Sequence, residues 1–152
     1  MATLALYSET HPAAPISAAL GLVPTKMHEI GDANQSPKTG RIYGYYKHSA
    51  WIYDLGTHAA APDDDGFSAL RALLAHLPDI GGALAELRPH YRTVIRWSGT
   101  VSSQGNFTIE AELIAALAAL GCDLYGSAYD EDEDEDDEDD EDVNGDAADE
   151  NR

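Results

Sequence analysis

Apolar and polar residues alternate from the first positions of the chain. Over residues 3 to 7, Leu4 and Leu6 fall on one face and Ala5 and Tyr7 on the other, the two-residue period of a strand. Ile16, Ala19 and Leu20 then follow helical spacing behind Pro12 and Pro15, Gly21 supplies a left-handed stop, and Pro24 blocks continuation. Residues 25 to 41 hold few apolar positions and many turn formers (Gly31, Asp32, Asn34, Ser36, Pro37, Gly40), which predicts a long surface loop. The aromatic stretch Ile42 to Leu55 predicts one or two strands, with Ser49, Trp51, Tyr53 and Leu55 on one face opposite Ala50, Ile52 and Asp54.

Two short helices are expected next, from Phe67, Leu70, Leu74 and Leu77 up to Pro78, and from Ile80, Leu84 and Leu87 up to Pro89. Asp63-Asp64-Asp65 suits the start of the first, where acceptors and negative charge meet free N–H groups. Gly81-Gly82 weakens the second, at about 1 kcal/mol per glycine relative to alanine. Tyr91 to Val101 is the clearest strand: Tyr91, Thr93, Ile95 and Trp97 form an apolar face, and Arg92, Val94, Arg96 and Ser98 a partly cationic one. A last helix has Thr108 as its cap, Glu110 and Glu112 near its positive end, an apolar stripe of Ile109, Leu113, Ile114, Leu117 and Leu120, and Gly121 as its stop. Cys122 to Tyr129 reads as a final strand.

The order β-α-β-α-α-β-α-β predicts an α+β two-layer sandwich, with helices packed on a mainly antiparallel sheet of about four or five strands. Leu20-Gly21-Leu22 and Leu120-Gly121-Cys122 share too little to mark an internal repeat. One globular domain is expected over residues 1 to 129, followed by a disordered polyacidic tail over 130 to 152.

Charge changes the picture once it is divided at that boundary. Residues 130 to 152 carry 16 acids, 13 of them consecutive from Asp130 to Asp142, against the single base Arg152. Of the chain's 28 acids and 9 bases, 12 and 8 remain in residues 1 to 129, so the domain is only mildly acidic although the whole carries −19. Consecutive acids repel one another and bury nothing, so the tail is expected to stay extended and to hold divalent cations only as loose counterions. Cys122 is the lone cysteine, which excludes an internal disulfide and a multi-cysteine zinc site. The N-terminal residues lack a basic leader, and no run approaches the ~20 apolar residues of a membrane helix, so a cytoplasmic protein without a membrane partner is expected.

Catalytic patterns fail one by one. Lys38-Thr39-Gly40 has neither a Ser-x-x-Lys nucleophile elsewhere nor a phosphate-loop frame around it, and reads as a turn. Ser102 and Ser103 near Gly105 lack the nucleophile elbow. His11, His28, His48, His58, His76 and His90 make no metal-ligand spacing, and only His28 and His48, which flank the loop, attract attention. Asp130, Asp132 and Asp134 imitate the start of a calcium loop, but Glu135 stands where its turn glycine belongs. No catalytic residue, metal site or cofactor is assigned.

Partner contacts are expected between Lys26 and Trp51. Lys26, Lys38, Arg41 and Lys47 are half of the domain's bases and are interleaved with Tyr43, Tyr45, Tyr46 and Trp51; together with His28 and His48, they suit an acidic protein surface or stacked bases beside phosphates. Tyrosines at alternate positions also occur on ordinary strands. The leading expectation is a non-enzymatic domain binding a protein partner. A nucleic-acid binder, or an acidic mimic that captures basic proteins, is the alternative, and a small enzyme with dispersed His28, Asp32, Arg41 and His48 ranks third. The tail is expected to compete with an anionic ligand for Lys26 to Lys47.

The run Ile16 to Thr25 (ISAALGLVPT), Gly31-Asp32, Lys38-Thr39-Gly40, the tryptophan strand Trp51-Ile52-Tyr53 and the closing Leu117-Ala118-Ala119-Leu120-Gly121 together resemble, in order and spacing, the bacterial domain of unknown function 4279 family. The resemblance spans nearly all of residues 1 to 129. It implies a small cytosolic α+β domain from a bacterium, an accessory protein with an immunity or defence association, and it carries no catalytic residues across. The polyacidic tail departs from the family core.

Overall fold

The alternating residues that open the chain become the middle strand of a sheet. A computed structural model describes residues 1–56, 67–101 and 108–130. Among them are β1 (Ala2–Ser8), α1 (Ala14–Leu20), β2 (Lys26–His28), β3 (Ala33–Gln35), β4 (Ile42–Tyr45), β5 (Ser49–Asp54), α2 (Ser68–His76), α3 (Gly81–Leu87), β6 (Arg92–Val101), α4 (Ala111–Leu120) and β7 (Asp123–Asp130). Five strands form one sheet in the order β2-β5-β1-β6-β7, and β3 and β4 form a separate two-stranded sheet. β1 pairs antiparallel with β5 and β6, and β2 antiparallel with β5, whereas β7 lies parallel to β6. The parallel pair needs a crossover, which α4 provides. The α+β architecture with a mainly antiparallel sheet is therefore as the sequence predicts.

Register decides which residues face the core. Leu4 stands opposite Tyr53 and Ile95, Leu6 opposite Trp51 and Thr93, and Ala2 opposite Trp97, so these share one face. That face packs in a single cluster with Ile16 and Leu20 of α1, Leu70 and Leu73 of α2, Leu84 of α3, and Leu113, Leu117 and Leu120 of α4. All four described helices thus cover the same side of the sheet. Phe67 stacks on Trp97 with ring centroids 4.4 Å apart and planes at 10°. Each large apolar side chain buried this way contributes roughly 1.5–3 kcal/mol relative to exposure.

Several boundaries differ from expectation for identifiable reasons. Residues 25 to 41 are not one loop: β2 adds to the edge of the sheet and β3 pairs with β4. These strands, Lys26-Met27-His28 and Ala33-Asn34-Gln35, are largely exposed and too short to show an apolar alternation that would announce them. Ile42 to Leu55, expected as one or two strands, forms two, β4 and β5. Phe67 precedes α2 instead of joining its stripe, and Leu73, not Leu74, is the fully buried residue there. In α4 the cap position is Glu110, not Thr108, and Ile114 points away from the core, 53% exposed. The glycine pair that weakened the expectation of α3 has a packing role at its first member. A Cβ on Gly81 would sit 2.9 Å from the Ala119 carbonyl oxygen, so glycine is what lets α3 approach α4. Gly21 and Gly121 close α1 and α4 at φ 66° and 63°, as their positions predict. The Asp63-Asp64-Asp65 start, the serines near Gly105 and the tail from Glu131 onward lie outside the described residues.

Candidate interaction surface

The segment after α1 runs along β5 and then turns away to build a projecting arm. Thr25 Oγ1 donates to the Asp54 carboxylate (2.8 Å) and its N–H to the Ile52 carbonyl (2.8 Å), which starts β2 in register. Beyond His28, the Glu29 carboxylate accepts hydrogen bonds from the Ala13 N–H at 2.8 and 2.9 Å and from the Ala14 N–H at 2.9 Å. α1 has no side-chain cap of its own, so this distant carboxylate satisfies its first free donors. The Asp32 carboxylate in turn accepts from the Glu29 N–H at 2.7 Å. Gly31 N–H to the Tyr46 carbonyl (2.9 Å) and Tyr46 N–H to the Asp32 carbonyl (3.0 Å) then close the base of the β3–β4 hairpin.

Lys38-Thr39-Gly40 forms the tip of this hairpin, so its reading as a turn is right. The Gly40 N–H donates to the Ser36 carbonyl at 2.9 Å, Gln35 Nε2 to the Gly40 carbonyl at 2.7 Å, and Gly40 takes φ 69°. A bulge on β4 shifts the register. Ala33 faces Tyr45 but Gln35 faces Ile42, so three steps on β4 match two on β3. Tyr45 and Ile42 are thereby brought to one face of the arm. Ile42, Tyr43 and Tyr45 are 52%, 65% and 67% exposed, and the Arg41 guanidinium carbon lies 5.6 Å from the centre of the Tyr43 ring.

At the arm's base four rings stack in series. Tyr46 lies flat on His28 (3.5 Å between centroids, 14°), His28 meets His48 edge-on at 5.5 Å, and His48 meets Tyr7 at 5.7 Å. Both His28 ring nitrogens are buried, and neither meets a hydrogen-bonding partner among the described residues. Burial, and then the neighbouring His48 and Lys26, push the His28 pKa below the ordinary imidazole value, which favours the neutral ring. His48 and Tyr7 also line a groove of about 750 Å³ walled by Arg88, His90, Tyr91 and Arg92.

The residues expected to contact a partner are thus distributed unevenly. Lys38, Arg41, Tyr43 and Tyr45 sit on the arm, and Lys26, His28, Lys47 and His48 lie at or below its base. Trp51 is a correction: it is fully buried, its indole N–H donates to Ser17 Oγ at 3.0 Å, and it belongs to the core. His28 and His48 do come together, but Asp32 is engaged with the Glu29 backbone and Arg41 lies over Tyr43, so the four dispersed residues do not converge on one point. Cys122 is half-buried, and burial pushes its thiol up, which opposes the thiolate form. No group of three metal-ligating side chains occurs among the described residues, and no described helix is long and apolar enough to cross a membrane. Tyr46 belongs to the aromatic set that the sequence marks, whereas Tyr7 was not singled out by sequence and reaches the ring stack from β1, distant in the chain.

A family profile matches residues 1–131, from the first residue to one past β7. The chain belongs to the domain of unknown function family DUF4279. No curated protein and no solved structure matches it. The profile covers the helix-covered sheet and the arm alike, so the DUF4279 match extends across both surfaces.

Proposed function

We propose that this DUF4279 domain is a non-catalytic interaction module that holds a partner protein with its β3–β4 arm. The observation that carries this reading is the exposure of Ile42, Tyr43 and Tyr45 on a hairpin whose strands pair only with each other among the described residues. A two-stranded hairpin is marginal alone, and large side chains left in water contribute nothing to holding it. Tyrosine and arginine are the side chains that most often anchor protein interfaces, and Arg41 preorganised over Tyr43 supplies both. Photo-crosslinking tests this. A benzophenone side chain at position 43 or 45 of the full chain is expected to give one discrete adduct in the native cell, absent when the probe replaces exposed Ile114 on α4. Adducts from all three positions, or from none, refute the reading.

Arg41 over Tyr43 also suits a stacked base beside a phosphate, which keeps single-stranded nucleic acid as the second reading. Fluorescence polarisation of a labelled oligonucleotide distinguishes it, since that binding weakens steeply with salt.

A further inference from the structure

The sheet has a second face that none of the described helices covers. By register, Thr3, Ala5 and Tyr7 of β1 stand beside Arg96, Val94 and Arg92 of β6, and β7 adds Asp123, Tyr125, Ser127 and Tyr129 to the same side. Its centre is made of small residues: Ala5, Ala50, Val94 and Thr3 are buried beneath the longer side chains around them. Tyr125 and Tyr129 remain 55% and 62% exposed. A shallow hollow of about 390 Å³ runs between Tyr7, Arg96, Tyr125 and Tyr129, and one of about 270 Å³ lies over Val94 between Arg92 and Arg96.

Among the described residues, the cations on this face are incompletely neutralised. Arg92 Nε lies 4.0 Å from the Asp123 carboxylate with both side chains largely in water. Arg96 donates to Tyr7 Oη at 3.3 Å and lies 5.7 Å from the Tyr125 ring centre, but it meets no carboxylate among the described residues. Lys26 shares this face through Ile52 and also meets none, while Asp54, the other acid that the described strands place there, is occupied by Thr25. Arginine held against aromatic rings beside a hollow fits a carboxylate-bearing segment.

The chain supplies such a segment. β7 is an edge strand ending at Asp130, and the next twelve residues, Glu131 to Asp142, are all acids. Twelve residues reach up to roughly 40 Å when extended. Crossing five strands takes only about 19 Å. A tethered segment also acts at an effective concentration of order millimolar, which suits a weak contact with few cations. His28 shares this face beside Ala50 and carries Tyr46 and His48 of the arm's base, so the β2 end of the face is occupied, and Arg96 and Arg92, on the strand next to β7, are the nearest of its cations to the tail. We infer that the uncovered face of the sheet is the docking site for the chain's own acidic segment 131–142, with Arg96, Arg92 and Lys26 as its counter-charges and Tyr125 and Tyr129 as its apolar rim. This places the tail on the sheet instead of on the arm, and it does not depend on what the arm binds.

A nitroxide at Val143→Cys, in a full-length Cys122→Ser background, tests this by amide relaxation. At low salt the signals of residues 92–98 and 123–129 are expected to lose intensity. That loss is expected to disappear in about 1 M salt, where the Debye length falls to about 3 Å, and in the Arg92→Ser/Arg96→Ser variant. A label-free full chain with 131–142 replaced by serine is expected to shift the Arg96 and Tyr125 amides, which keeps the inference testable if Cys122→Ser perturbs folding. Intensity loss confined to residues 38–47 places the tail on the arm and overturns the inference. So does no loss at low salt, or loss that survives removal of both arginines.

Discussion

β4 and β5 are neighbours in sequence and opposites in fate. Ile42-Tyr43-Gly44-Tyr45 and Ser49-Ala50-Trp51-Ile52-Tyr53-Asp54 are both aromatic, both β-prone and separated by only residues 46 to 48. Trp51 and Ala50 are fully buried, whereas Ile42, Tyr43 and Tyr45 face water. The difference lies in what each strand pairs with. β5 lies between β2 and β1 and has the helices behind it, while among the described residues β4 pairs only with β3, and β3 with nothing else. Strand propensity therefore reports that a segment will pair, and the partner decides whether its side chains hold the fold together or remain available to bind.

The largest test of that contrast is truncation at its two ends. Trp51→Ala is expected to cost about 3–5 kcal/mol by cavity formation and by leaving Ser17 without its donor. Tyr45→Ala, on the arm, is expected to stay within about 0.5 kcal/mol. Denaturant melts of both variants measure the gap, and equal losses would mean that the arm is part of the core.

The arm is nevertheless tied to the core through its base. Glu29→Ala removes three hydrogen bonds to the start of α1 and is expected to cost about 1 kcal/mol, with the loss centred on α1 in amide exchange. Exchange that accelerates in the arm alone would show that Glu29 holds the hairpin and not the helix.

The smallest expected effect is a pH dependence at the ring stack. The folded pKa of His28 lies below the ordinary imidazole value of 6.5, mainly through burial. Above 6.5 the ring is neutral in both folded and unfolded states, and the stability that goes with its burial is fully present. As pH falls the unfolded chain takes up the proton first, so this stability is lost as pH passes down through the lowered folded value. His28→Gln is expected to flatten the stability profile between about pH 7 and 5, the range in which imidazoles titrate. An unchanged profile assigns the dependence to another histidine.

Much of the fold was legible because it rests on local periodicity. The stops at Gly21 and Gly121, the alternation of β6 and the turn at Lys38-Thr39-Gly40 all depend on short-range geometry. β2 and β3 were not legible, since exposed three-residue strands exist only by virtue of their pairing. The candidate surface was half-legible. The basic and aromatic composition of Lys26 to Trp51 marked the segment that contains the exposed arm, but nothing local distinguishes Trp51, which is core, from Tyr45, which is not.

By itself, the sequence determined the helices, their glycine stops, the amphipathic strands and the charge division at Asp130, because each follows from the spacing of side chains along one segment. It also determined that β6 has a cationic face. Only the tertiary structure decided that the described helices leave this face uncovered, that Glu29 completes α1 and that the tyrosines of β4 project on an arm. Those outcomes depend on which strand neighbours which, and pairing across tens of residues is set by the whole core packing at once.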